Sequence, residues 1–91
     1  MKSSVSVTVK GRVQGVGFRW FTIDQAENYN IKGYVRNINN GDVEVFAEGD
    51  DIQLLKFINK LKEGPPFSNV VDVITRYEEF KGAFKEFKLK Y

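Results

Sequence analysis

Val5, Val7 and Val9 alternate with Ser6, Thr8 and Lys10, and a period of two predicts a strand with one buried face. Continued in phase, the strand carries Val13 inward and leaves Lys10 and Arg12 outward. The stretch "QGVGF" at Gln14–Phe18 breaks the alternation. From Phe18 to Tyr29 the spacing is helical: Phe18, Thr22, Ala26 and Tyr29 share a face, flanked by Phe21 and Ile23. Asn30 is the predicted stop.

The segment "KGYVRNINNGDVEVFAEG" predicts a hairpin, with two loop geometries in competition. A two-residue Asn40-Gly41 turn pairs Ile38 with Val43 and puts Val35 and Val43 on opposite faces. A three-residue loop with Gly41 left-handed, as a bulge, pairs Ile38 with Asp42. The second register is preferred because Val35, Val43, Val45 and Ala47 then share one face, with Glu44 and Glu48 on the other. It also sets Asn37 on the buried side, at the end of its strand.

A second helix follows. Asp50 is its predicted cap, with Gln53 three residues on as in a capping box. Ile52, Leu55, Ile58 and Leu61 form the expected apolar stripe, with Leu54 and Phe57 beside them. Gly64, Pro65 and Pro66 end it. "NVVDVITRY" is another strand, its alternation blurred at Val70 and Val71. A turn near Lys81-Gly82 leads to a last strand with Phe87, Leu89 and Tyr91 in phase. Strand, helix, strand, strand, helix, strand, with the last part split, predicts an α+β sandwich: one antiparallel sheet with both helices on one face.

The 91 residues suit one domain, residues 1–91, with no linker or internal repeat. Hydrophobic residues at 42% and charged residues at 29% indicate a globular chain. The chain has no cysteine and no histidine. Disulfides, thiolate nucleophiles, a histidine base and most transition-metal sites are therefore excluded. The net charge of +2 is low for a nucleic-acid binder. No apolar run reaches membrane-spanning length, and the polar, alternating start does not resemble a signal peptide. A cytoplasmic location is expected.

Arg19 stands where a helix begins, a place with free N–H groups and a partial positive charge that welcomes an anion and repels a cation. The preceding loop holds Gly15 and Gly17 and no acid. Glycines let successive N–H groups form a concave nest, which Arg19 would close with a bidentate grip on phosphate oxygens. The competing reading is a tight glycine turn followed by a solvated arginine. The Walker and dinucleotide-binding glycine patterns both fail here. Asn37 is the second oddity. Asparagine is depleted in strands, and on a buried face it needs partners. It either helps the turn or holds a water or substrate oxygen.

At these residues the chain resembles the acylphosphatases. The family pattern G-R-V-Q-G-V-G-F-R is matched by Gly11–Arg19 without departure. The second element, G-[WY]-V-x-N followed by a glycine turn and V-E, is matched by Gly33, Tyr34, Val35, Asn37, Gly41, Val43 and Glu44. Asn39-Asn40 replaces a frequent Pro-Asp. The resemblance implies a ferredoxin-like βαββαβ sandwich and a stand-alone monomer. It implies metal-independent hydrolysis of the carboxyl-phosphate bond, with no cofactor. Arg19 would bind the phosphoryl group, the amides of Gln14, Gly15, Val16, Gly17 and Phe18 would cradle it, and Asn37 would position water. The expected partner is a small-molecule acyl phosphate, with neither nucleic acid nor membrane. The alternative is a non-catalytic module on the same fold that binds an anion, or RNA through aromatics on the open sheet face.

Overall fold

The alternating N-terminal stretch forms β1 (Lys2–Arg12) in a computed structural model that describes the whole chain, Met1–Tyr91. Then follow α1 (Phe18–Asn28), β2 (Lys32–Asn37), β3 (Val43–Asp50), α2 (Asp51–Glu63), β4 (Asn69–Glu79) and β5 (Phe87–Leu89). The sheet order is β4-β1-β3-β2-β5. β1 lies antiparallel to β3 and β4, and β2 antiparallel to β3.

The last part of the sheet is split as expected, but its second piece pairs in an unexpected direction. β4 closes one edge, and the three-residue β5 joins β2 in parallel at the other. The sheet is therefore mixed rather than wholly antiparallel, around the expected four-stranded antiparallel frame. The reason is geometric. The chain leaves β4 on the far side from β2 and crosses the outer sheet face to reach it.

The hairpin takes the three-residue loop. The Ile38 N–H donates to the Asp42 carbonyl at 3.0 Å, and Asn37 stands opposite Val43. Gly41 has φ 97°, a left-handed backbone that glycine adopts without steric cost. The Asp42 N–H donates to Asn40 Oδ1 at 3.0 Å, so this turn is held by an asparagine side chain. Val35, Val43, Val45 and Ala47 are fully buried together with Val5, Val7 and Val9 of β1. Phe18, Thr22 and Ala26 of α1 close over that face as the spacing predicts. Asn30, at φ 56°, ends the α1 turn.

α2 departs from expectation in its stripe. Asp50 caps it by accepting from the Ile52 N–H at 3.2 Å, while Gln53 makes no reciprocal bond. The buried face is Leu54, Phe57, Ile58 and Leu61, an i, i+3, i+4, i+7 set. Ile52 and Leu55 are 66% and 55% exposed, because they lie off that axis. The blurred alternation at Val70 and Val71 is a β-bulge, with the β1–β4 register shifting between Lys10 and Gly11. Tyr91, expected in phase with Phe87 and Leu89, lies beyond β5 and is exposed.

Glu48 stands on the outer face as expected, yet is only 1% exposed. Its Oε2 accepts from Ser4 Oγ at 2.7 Å and from the N–H groups of Lys81 and Gly82 at 3.2 and 2.9 Å. Its Oε1 accepts from Ala83 and Phe84 at 3.0 and 3.3 Å. A carboxylate can only accept, and these donors offset the cost of burying it. They also hold the 80–86 segment down. The Phe84 ring then lies 5.9 Å from Tyr34 and 5.5 Å from Phe46. The aromatics of the outer face are thus partly roofed and offer no bare stacking platform.

Candidate active site

β1 and β2 both run towards one end of the sheet, since each is antiparallel to β3. The loop after β1, the start of α1, the end of β2 and the β2–β3 turn therefore share that end. Asn37, Val43 and Val9 form one row across the three strands. Topology alone brings Arg19 and Asn37, far apart in sequence, to the same rim.

The loop itself is pinned from inside. Val16 packs against the core, and Phe18 is 1% exposed with its ring 5.9 Å from Phe21. Gly15 and Gly17 have φ 73° and 80°, which side-chain-bearing residues rarely adopt. A Cβ built on either would meet no neighbour within 4 Å. These glycines are therefore demanded by backbone shape rather than by crowding, and the loop borders open space. Gly17 caps α1 with no side-chain bond, and the first turn has no acid. Its carbonyl accepts from the Phe21 N–H at 3.0 Å. The amides of Gly15, Val16, Gly17, Phe18, Arg19 and Trp20 donate to no protein acceptor.

Arg19 is half-buried and pairs with no carboxylate. The six ion pairs of the molecule all lie elsewhere. Asn37, the last residue of β2, shares the phase of Val35 and so faces the helices. Its Oδ1 is buried without a hydrogen-bond partner. Buried polar atoms are paired in the great majority of cases, so this one marks a place for a donor from outside the protein.

Gln14 was expected to contribute its amide. Its side chain has a further role: Nε2 donates to the carbonyls of Ile38 and Asp42, each at 2.8 Å. That clamp ties the glycine loop to both arms of the turn after Asn37. Asp42, nearly buried, also accepts from Lys10 Nζ at 2.7 Å. Sequence reasoning missed both contacts, because no local pattern announces a bond between residues that far apart. Of the four groups with displaced titration, Tyr34, Arg36 and Glu44 lie on the outer sheet face, and Tyr77 lies on β4 near Asp51. The hydrogen bond from Arg36 holds the Glu44 carboxyl below its usual range, and burial raises the Tyr34 phenol. The rim is shallow. A cleft of about 250 Å³ lies elsewhere, lined by Ile23, Ile31, Glu86 and Phe87 among others.

The sequence profile of the acylphosphatases matches residues 5–89. This chain belongs to the acylphosphatase family. It is 48% identical over 84 residues to an acylphosphatase of Dehalococcoides mccartyi, covering 91% of this chain and 92% of that relative. The crystal structure of acylphosphatase from Bacillus subtilis superposes with a TM-score of 0.95 at 36% identity, over 100% of both chains. Full-length HypF in its phosphate- and nucleotide-bound form is similar over 100% of this chain and 12% of its own, with a TM-score of 0.86 and 32% identity. The acylphosphatase sandwich thus occurs both as a chain of this length and as part of a far longer one.

Proposed function

We propose that this acylphosphatase hydrolyses the carboxyl-phosphate bond of small acyl phosphates at the Gln14–Arg19 loop, with Asn37 holding the attacking water. The observation that carries this reading is a run of amide donors without protein acceptors beside an arginine without a carboxylate, at the same end of the sheet as a buried amide oxygen without a donor. In the reaction, the water oxygen bonds to phosphorus as the bond from phosphorus to the acyl oxygen breaks. The electron pair leaves with the carboxylate, and the water proton passes to a phosphoryl oxygen. A carboxylate is a weak base and needs no general acid. Positioning and charge stabilisation are what phosphoryl transfer chiefly asks of a protein. The loop amides and the Arg19 guanidinium supply stabilisation, and Asn37 Oδ1 accepts from the water and aims it.

The same reading makes the reaction independent of metal and cofactor. The chain has no histidine or cysteine, and no three carboxylates converge. Residues 1–91 are read as one domain. No helix is long and apolar enough to cross a membrane. Acyl phosphates are anions that do not cross bilayers unaided, which favours a cytoplasmic enzyme.

The test is hydrolysis of acetyl phosphate in the presence of a chelator, with phosphate binding measured by calorimetry. Arg19→Gln is expected to abolish both turnover and phosphate binding. Asn37→Ala is expected to lose at least about 10²-fold in kcat, in the range of a lost preorganised catalytic contact, while phosphate binds as before. Full activity in both variants would overturn the assignment of roles.

A further inference from the structure

β4 has a neighbour on one side only. It is an edge of eleven residues, Asn69–Glu79, with neither lysine nor proline to blunt it, and its one bulge is confined to its start. Val71, Ile74 and Tyr77 are 73%, 49% and 51% exposed. The polarity of this edge can be worked out. The Asp51 N–H donates to the Met1 carbonyl at 2.9 Å, extending the β1–β3 ladder. Odd-numbered residues of β1 therefore bond towards β3 and even-numbered ones towards β4. Even residues of β4 stand opposite even residues of β1, as in Ser6 with Arg76 and Thr8 with Ile74. Val73, Thr75 and Tyr77 consequently turn their N–H and C=O groups to the open side. In agreement, the Val73 N–H is taken by the neighbouring Asp72 Oδ1 at 2.9 Å.

We propose that this edge pairs with the β4 of a second copy, antiparallel about a two-fold axis through Ile74, joining two sheets into one. Antiparallel partners must match in polarity, so the axis passes through a residue and not between two. Three central registers compete. An axis at Thr75 sets Asp72 against Glu78 twice, with like charges face to face. An axis at Val73 pairs no charges. An axis at Ile74 sets Asp72 against Arg76 twice, brings the two Ile74 side chains together, and lets Val73 and Thr75 exchange N–H···O bonds across the seam. An isologous contact repeats each favourable pair, so the charge pattern selects this register by both attraction and exclusion. Asp72 exchanges one role for another on pairing: it releases the Val73 N–H to the partner strand and accepts from the Arg76 guanidinium. The patch is small, as in transient complexes, so the association is reversible and replaces the expected strict monomer only at high concentration. The Gln14–Arg19 loop stays open in this arrangement.

The experiment is sedimentation equilibrium of the full chain from micromolar to millimolar concentration, with engineered cysteines as a second probe. A dimer is expected to appear with concentration. Asp72→Arg and Arg76→Asp are each expected to weaken it at least about tenfold, as like charges then oppose across the seam. The double variant, Asp72→Arg with Arg76→Asp, restores the pairs and is expected to restore the dimer. The chain has no native cysteine, so Ile74→Cys is a clean reporter. Facing a copy of itself in a non-hydrogen-bonded pair, it is expected to form an intermolecular disulfide faster than Asp24→Cys on α1, an exposed site over the opposite side of the sheet. A chain that stays monomeric at millimolar concentration overturns the proposal. So does a double variant no tighter than the single ones, or Ile74→Cys that cross-links no faster than Asp24→Cys.

Discussion

Gln14 places one amide nitrogen between the carbonyls of Ile38 and Asp42, and this makes it a positioning residue for both halves of the rim. Removing the clamp in Gln14→Ala forfeits two hydrogen bonds, each worth about 0.5–1.5 kcal/mol net. The Asn37 end of β2 is then free to drift from the loop. The expected outcome is a lower kcat with KM little changed, since the cradle amides remain, and a loss of about 1–3 kcal/mol in urea denaturation. Gln14→Glu separates this from simple loss of packing. It keeps the shape but turns a donor into an acceptor-only carboxylate facing two carbonyls. It should therefore be worse than Ala in both measurements. Arg19, Asn37 and the glycine loop were legible in the sequence because each breaks a local rule: a cation at a helix start, a polar side chain in a buried phase, glycines where a helix begins. Gln14's second role and the burial of Glu48 were not, because both depend on chain segments brought together only by folding.

At the scale of elements, periodicity located every helix and strand, and failed only where direction matters more than period. α2 shows this. Ile52-Leu55-Ile58-Leu61 and Leu54-Phe57-Ile58-Leu61 are both helical stripes in the sequence, and only the sheet decides between them. The sheet chose the second, burying Leu54 completely and leaving Leu55 more than half exposed. Leu54→Ala is therefore expected to cost about 2–5 kcal/mol, transfer and cavity terms together. Leu55→Ala should stay within about 0.5 kcal/mol, as for surface changes. Paired chemical denaturation curves check this, and equal losses would mean that α2 is rotated from its place here. The hairpin register was decided correctly from sequence because a slip of one residue would have turned Val43 and Val45 to the outside. The split of the last part was legible, since Phe87 and Leu89 carry a period of their own after the turn. The parallel pairing of β5 was not, because it follows from the strap that Glu48 holds across the outer face.

For the whole molecule, the fold and the ligand site are energetically linked through one turn of chain. The cradle amides exist as a set only when β1, α1 and β2 are docked, so an unfolded chain offers phosphate no such nest. A ligand that binds only the folded state stabilises it by RT ln(1 + [L]/Kd). With inorganic phosphate at ten times its dissociation constant, that is about 1.4 kcal/mol. A domain of this size shifts its Tm by about 4–8 °C per kcal/mol, so a rise of about 6–11 °C is expected. Sulfate, of the same shape, should act in the same direction, and chloride at equal ionic strength should not. The rise should vanish in Arg19→Gln and persist in Asn37→Ala, because the proposed mechanism has the first residue grip the anion and the second address the water. Scanning calorimetry of the three proteins reads this without any turnover. A Tm that ignores phosphate in the unsubstituted chain would mean that these donors, though unpaired within the protein, do not converge on one anion.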